Sequence, residues 1–211
     1  MDENMIYTGA DWPYNWLFGR SHNGPSKTRY YTFQMALNII HQTKNSPVII
    51  ETGCQRMETD IGDGASTSLF CEYLLRYGGK LISIDINPVS IQNAQNWTAH
   101  YPVDKHFVTS DSVAYLSQYT GTVDLVYLDS WDYPLDDGPE LEWRQFEAQQ
   151  HNLNEFMAIE NRLSPNAVIL MDDNLLPGGG KPKLTKQYLK DKGYICLLDY
   201  QHTIWVKQIK V

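Results

Sequence analysis

From residue 47 onward, short apolar runs alternate along the chain with segments of helical periodicity. The run at 47–51 consists mainly of β-branched residues, which is typical of a strand buried on both faces. Apolar residues in the segment 66–77 recur at i, i+1, i+4 and i+5, which predicts a helix with one buried stripe. The same criteria predict strands at 80–85, 105–109, 123–129 and 167–172, a turn at 165–166, and helices at 90–100, 112–116 and in a long segment that ends near residue 163.

Strands that alternate with helices indicate a parallel sheet joined by right-handed crossovers. The end of the chain differs, because the strand-like runs 193–198 and 203–209 are too close together for a crossover and must form an antiparallel hairpin. We therefore predict an α/β fold with a doubly wound, mainly parallel sheet of seven strands over residues 46–211. Residues 1–45, with an aromatic, Gly/Pro-rich stretch and a helix near 31–41, are expected to extend the same domain, either as a lid or as a packing or dimer contact.

Composition and charge exclude several classes of protein. Among the 211 residues, 17 are Lys or Arg and 25 are Asp or Glu, and a net charge of −8 without a basic stripe argues against nucleic-acid binding. The longest apolar run falls short of the roughly 20 residues that span a bilayer, and the N-terminus lacks a signal-peptide pattern, so we expect a cytoplasmic protein that does not enter a membrane. Three widely spaced cysteines fit neither a disulfide framework nor a cysteine zinc site. The expected partner is a small molecule, and the sequence leaves a homodimer open.

Polar residues follow each of the five predicted parallel strands. In an open parallel sheet, ligands bind outside the carboxyl ends of the strands, so these residues are candidates for a site. They are Glu51 and Gly53, Asp85, Asp111 and Ser112, Asp129 and Asp132, and Asp173 and Asn174.

The loop after the first strand and the end of the second indicate an adenosine-type cofactor. Gly62 and Gly64 would let the backbone approach a ligand, and Ser66 could cap the following helix. Asp85 is placed to accept both hydroxyls of a ribose. Dinucleotides and S-adenosylmethionine both remain open, but the loop lacks a G-x-G-x-x-G turn. Its acidic residues would repel a pyrophosphate and tolerate a sulfonium, which favours S-adenosylmethionine.

Three segments, at 81–88, 126–131 and 170–178, resemble class I S-adenosylmethionine-dependent methyltransferases. Within that superfamily the chain is similar to the catechol O-methyltransferases and the macrocin O-methyltransferases, from about residue 47 to its end. The resemblance implies a Rossmann-like fold, S-adenosylmethionine as cofactor, and methyl transfer to a hydroxyl of a small molecule.

The resemblance also implies roles for individual residues. For the cofactor, it places Glu51 and Gly53 at the methionine end, Ser66 near the carboxylate, Asp85 on the ribose, Asp111 and Ser112 near the adenine, and Trp131 beside the adenine. Gly64, in the glycine loop, remains a further candidate for binding the cofactor. For a divalent cation, it implies Asp129, Asp173 and Asn174 as ligands, and their hard oxygen atoms suit Mg²⁺. The metal would orient the acceptor hydroxyl and lower its pKa.

Two departures from the family pattern leave alternatives open. The chain carries an insertion within residues 54–61, and Asp132 stands where the catechol enzymes place a lysine general base. The base could be Asp132 or His151, whose imidazole titrates near neutrality. The alternative functions are a metal-independent methyltransferase, a cofactor-binding homologue without catalysis, and a nicotinamide-dependent oxidoreductase.

Overall fold

The computed structural model describes residues 25–57 and 65–207, and within them seven strands form one sheet. The strands are β1 (Val48–Thr52), β2 (Lys80–Asp85), β3 (Asp104–Thr109), β4 (Val123–Leu128), β5 (Leu163–Met171), β6 (Ile195–Asp199) and β7 (Thr203–Val206). Their order across the sheet is β3-β2-β1-β4-β5-β7-β6. The first five are parallel, and β7 is antiparallel to both β5 and β6, so the predicted sheet and C-terminal hairpin are confirmed.

Helices cover both faces of the sheet. They are α1 (Pro25–Thr43), α2 (Ser66–Tyr77), α3 (Pro88–Thr98), α4 (Ser112–Gln118), α5 (Leu141–Ile159) and α6 (Lys183–Asp191). Because side chains alternate along a strand, Ile49 packs on one face with Phe33 of α1 and Phe70 of α2. Its neighbour Ile50 packs on the other face with Phe156 of α5. The order of the strands reverses between β1 and β4, which is where a doubly wound sheet binds its ligand.

The helix predicted near 31–41 is part of α1, which packs on the same sheet as the rest of the chain. Phe33 is fully buried and meets the rings of Tyr127 and His202 edge-on, with centroids 5.2 and 5.0 Å away. The aromatic stretch at 11–19 lies outside the described residues, so its role as a lid stays a prediction. None of the described helices is long and apolar enough to cross a membrane.

Two elements differ from the prediction. The turn expected at Pro165 and Asn166 lies inside β5, at the point where the pairing with β4 shifts register. A proline fits there because a bulge does not need its missing N–H. Helix α6 was not predicted, since it is short and polar and buries only Thr185 and Leu189.

Candidate functional site

A cavity of about 680 Å³ lies at the carboxyl ends of β1 to β5 and brings together most of the predicted site residues. Those that line it are Gly53, Ser66, Asp85, Asp111, Ser112, Asp129, Trp131, Asp132, His151 and Asp173. Glu51 and Asn174 do not line it, and Gly64 lies outside the described residues. The acidic strand ends therefore meet in one place, as the topology rule requires.

Gly53 directly follows β1 and lines the cavity where β1 pairs with β4. Its φ of +78° lies in the left-handed region, and its N–H donates to the carbonyl oxygen of Ile84 at 2.8 Å. A Cβ at this position would lie 2.4 Å from the carbonyl oxygen of Asp129, so no other residue fits without moving the backbone. The glycine keeps the ends of β1 and β4 in contact.

Glu51 is buried below the cavity and forms hydrogen bonds with residues of α2 and β2. Its fully buried carboxylate accepts hydrogen bonds from the hydroxyls of Ser66, Thr67 (2.7 Å) and Ser83 (2.6 Å). Burial raises its pKa to about 7, although the three hydrogen bonds oppose the shift. Ser66 does not cap α2 as expected, because the N-cap is Ala65 and the serine hydroxyl donates to Glu51 instead.

The Glu51→Gln variant should be less sensitive to alkaline pH than the wild type. A pKa raised from 4.5 to about 7 means that the folded state holds this proton more tightly, so wild-type stability falls as pH rises through that window and stays lower above it. The shift corresponds to about 3 kcal/mol, of which the altered hydrogen bonds offset part, so we expect a net gain of about 1 kcal/mol above pH 7.

Urea unfolding between about pH 4 and pH 9 measures this effect. The control is Glu142→Gln on the exposed side of α5, which should leave the profile unchanged. Parallel stability curves for the wild type and Glu51→Gln would show that Glu51 is not the titrating group.

Asp85 presents its carboxylate at the end of β2. One oxygen accepts from the N–H of Asn87 at 2.8 Å and the other from the N–H of Cys54 at 3.3 Å. These backbone donors fix the orientation of the carboxylate at the cavity, and carboxylate oxygens have further lone pairs for a ligand. The geometry suits the predicted contact with a ribose.

Trp131, in the loop after β4, and His151, on α5, line the cavity side by side. Their ring centroids are 4.9 Å apart, and His151 Nε2 lies 3.1 Å from the hydroxyls of both Ser112 and Ser130. Burial lowers the pKa of His151, but the hydrogen bond and charge of Glu155 outweigh burial and raise it overall. His151 therefore contacts the residues predicted to surround the adenine.

Asp132 lies on the rim. Its side chain is 83% exposed and forms a salt bridge to Arg56, whose Nη1 lies 3.0 and 3.1 Å from the two carboxylate oxygens. A solvated and paired carboxylate has little of the environment that makes a strong general base.

Lys181 is a buried cation between the ends of β4 and β5. Its Nζ lies 3.0 Å from Asp129 Oδ1 and 3.0 Å from Asp173 Oδ2, and its side chain is 2% exposed. Burial lowers the pKa of Lys181, but the two carboxylates outweigh burial and hold it above the usual range. Burial also raises the pKa of Asp129, with Lys181 opposing the shift.

Asn174 points away from this pair. Its amide nitrogen donates to Asp199 Oδ1 at 2.8 Å, and its amide oxygen accepts from Lys186 Nζ at 2.8 Å. The three predicted metal ligands are thus not assembled, and the described residues contain no group of three or more His, Cys, Asp or Glu side chains that could hold a metal ion. With an ammonium between Asp129 and Asp173, the residues do not fit a divalent cation.

A second group of buried charges, around Asp172, lies next to the Asp129–Lys181–Asp173 cluster. Asp172 accepts from Arg29 Nη2 at 2.8 Å, and the hydroxyl of Tyr127 lies within hydrogen-bond distance of both Asp172 (3.1 Å) and Asp129 (3.0 Å). His202 Nε2 lies 3.3 Å from the other oxygen of Asp172. Burial raises the pKa of Asp172, but His202 and Arg29 outweigh it and hold the pKa well below its usual range.

Lys181, Tyr127 and Arg29 were missed in the sequence. The available signal for Lys181 was the run of three glycines at 178–180, which indicates a tight backbone path directly before it. Nothing in the local pattern identifies Arg29, because α1 is distant from β5 along the chain.

The comparison with known families decides the class of protein. The family model described as a methyltransferase domain matches residues 59–174, more than half of the chain. The chain belongs to this family. Together with the Rossmann-like sheet, the match shows a methyltransferase of the class I architecture. No curated protein matches the sequence.

Several solved structures share the fold of this methyltransferase at low sequence identity. The O-methyltransferase NovP has a TM-score of 0.60 and 11% identity, covering 85% of this chain and 79% of that chain. SAH-bound PaMTH1 of Podospora anserina has a TM-score of 0.59 and 14% identity, covering 92% and 85%. The T. thermophilus 16S rRNA N2 G1207 methyltransferase RsmC, in complex with AdoMet and guanosine, has a TM-score of 0.56 and 13% identity, covering 90% of this chain and 44% of that chain. These likenesses show the fold alone, and they confirm the Rossmann-like class.

Proposed function

We propose that the methyltransferase transfers a methyl group to a hydroxyl oxygen of a small molecule, without a divalent metal ion. The observation that carries this proposal is that Asp85 and the Asp129–Lys181–Asp173 cluster line the same cavity of about 680 Å³. This volume is typical of small-molecule sites, which measure roughly 300–1,000 Å³.

The cofactor half of the proposal rests on the β1, β2 and β3 ends of the cavity. S-adenosylmethionine supplies a methyl group already activated by its sulfonium, so the protein needs to align donor and acceptor and exclude water. Asp85 would accept the ribose hydroxyls, and Trp131 with His151 would flank the adenine beside Ser112. The excess of carboxylates around the cavity favours a cationic ligand.

The acceptor half rests on the loops after β4 and β5. Tyr133, Leu135 and Leu176 come from these loops and line the cavity, which supplies an apolar wall for an organic acceptor. The hydroxyl of Tyr133 donates to the carbonyl oxygen of Pro177 at 2.8 Å and joins the two loops. The net charge of −8 supports a small molecule over a nucleic acid as the acceptor.

The resemblance to the catechol and macrocin enzymes supports oxygen as the acceptor atom, but its metal set is not carried over. Lys181 stands between two of the three predicted ligands, and the third, Asn174, bonds Lys186 and Asp199. The metal-independent alternative is therefore the better supported form of the reaction.

Turnover with and without a chelator tests the proposal. The purified protein, supplied with S-adenosylmethionine and a panel of catechols, sugars and hydroxy acids, should yield a methylated product detectable by mass spectrometry. The rate with the responding acceptor should be the same in EDTA and in added Mg²⁺. A product formed only with Mg²⁺ would contradict metal independence. Binding of S-adenosylhomocysteine without methylation of any acceptor would favour a non-catalytic homologue.

A further inference from the structure

Lys181 lies between Asp129 and Asp173, where the family resemblance predicts a metal ion. Two carboxylate oxygens on adjacent strand ends, each 3.0 Å from one buried nitrogen, form a bridge of the kind that a cation provides. An ammonium has three N–H donors, and within the part of the chain that the structure describes two of them are engaged by Asp129 and Asp173. Lys181 also lines the cavity in which a ligand would bind.

The backbone before Lys181 is shaped to deliver it there. Gly180 has a φ of +69°, and a Cβ on it would lie 2.2 Å from the carbonyl oxygen of Asp173. The N–H of Lys181 then donates to that same carbonyl oxygen at 3.2 Å, so the loop folds back onto the end of β5. Asp173 itself has a φ of +57°, which is uncommon for a residue other than glycine, and residues in this conformation cluster at functional sites. The backbone conformation of this loop therefore fixes the position of Lys181.

The charges around Lys181 require a cation at this point. Arg29 and His202 contact Asp172, whereas Lys181 contacts Asp129 and Asp173. Without Lys181, two carboxylates would face each other at a largely buried position, which is unfavourable unless another cation enters.

We infer that Lys181 takes the place of the divalent cation: its ammonium bridges Asp129 and Asp173 and donates its third N–H to the reacting oxygen of the acceptor. The contact with the acceptor rests on the proposed methyl transfer, whereas the replacement of the metal concerns cation binding and can be tested without turnover. The acceptor class that this donor favours is a phenol or other acidic alcohol that loses its proton to solvent and reacts as the oxyanion, which the ammonium stabilises. The oxyanion forms the O–CH3 bond as the C–S bond of the sulfonium breaks, so the oxygen becomes neutral and S-adenosylhomocysteine leaves.

Binding of Mn²⁺ tests the replacement directly. In the presence of S-adenosylhomocysteine, free Mn²⁺ is followed by electron paramagnetic resonance for the wild type, Lys181→Ala and the control Lys183→Ala, which removes an exposed lysine at the start of α6. We expect Lys181→Ala to bind one ion at least roughly tenfold more tightly than the other two proteins, because its paired carboxylates then lack a cation.

The wild-type titration keeps this test decisive if Lys181→Ala fails to fold, as judged by circular dichroism. Saturable binding of Mn²⁺ by the wild type that is lost in Asp173→Asn would overturn the replacement. A folded Lys181→Ala protein that binds Mn²⁺ no better than the wild type would overturn it as well.

Kinetics test the contact with the acceptor. With an acceptor that the wild type methylates, Lys181→Ala should lose roughly a hundredfold in kcat. Its Kd for S-adenosylhomocysteine should not change, and added ethylammonium should restore part of the rate. Loss of cofactor affinity together with kcat, without rescue by the amine, would show a structural lysine and overturn the contact. If the wild type methylates no acceptor, the proposed function fails, while the Mn²⁺ titration still decides what Lys181 replaces.

Discussion

Replacing Gly53 by alanine should destabilise the protein by at least about 4 kcal/mol, whereas the same change at Gly193 should cost only about 1–2 kcal/mol. Both glycines have a φ of +78°, so the cost of the left-handed conformation is the same at the two positions. They differ in space, because a Cβ on Gly193 meets nothing within 4 Å, while a Cβ on Gly53 would lie 2.4 Å from the carbonyl oxygen of Asp129. That oxygen belongs to the backbone, so no side-chain rotation relieves the clash.

Urea unfolding of the two variants measures the difference. The Gly193→Ala protein should unfold cooperatively with a modest decrease in midpoint, and the Gly53→Ala protein should be largely unfolded or insoluble. Equal stabilities would show that β1 and β4 can separate at their carboxyl ends without loss of the fold.

Replacing Asp85 by alanine should weaken the binding of S-adenosylhomocysteine by roughly a thousandfold. Hydrogen bonds to a charged group contribute about 1.5–3 kcal/mol each, and the predicted contact with a ribose includes two. The fold should persist, because among the described residues the carboxylate bonds only the exposed N–H of Asn87 and the N–H and thiol of Cys54.

Calorimetric titration with S-adenosylhomocysteine measures this loss. The control is Asp104→Ala, an exposed carboxylate that begins β3 at the amino end of the sheet, away from the cavity. An unchanged affinity in Asp85→Ala would place the ribose elsewhere and remove the cofactor orientation on which the proposed function depends.

The fold could be predicted from the sequence where one period dominates. The predicted bounds of α2 and β2 are those observed, because the apolar residues of α2 follow the helical repeat and β2 is a short, mainly apolar run that ends before Asn87 and Pro88. Helix α6 could not be predicted in this way, since only Thr185 and Leu189 of its nine residues are buried. The position of Pro165 within β5 depends on an irregular pairing with β4 that no local pattern shows.

The location of the site could be predicted from the sequence, but the contacts of its side chains could not. The rule on strand ends located Asp85, Asp129 and Asp173 at one cavity, because it depends only on topology. The directions of side chains depend on single backbone angles. Asp173 has a φ of +57°, and its neighbour Asn174 bonds the C-terminal hairpin and α6 instead of the cavity.

The last two described strands, β6 and β7, complete the part of the site around Asp172 and Asn174. His202 lies in the turn between β6 and β7 and meets Asp172, while Asp199 and the carbonyl oxygen of Tyr200 hold Asn174 at the end of β5. A growing chain that has not yet released these residues from the ribosome therefore lacks the partners that orient the carboxylates. The enzyme becomes competent to bind its ligands only after β6 and β7 have emerged from the ribosome.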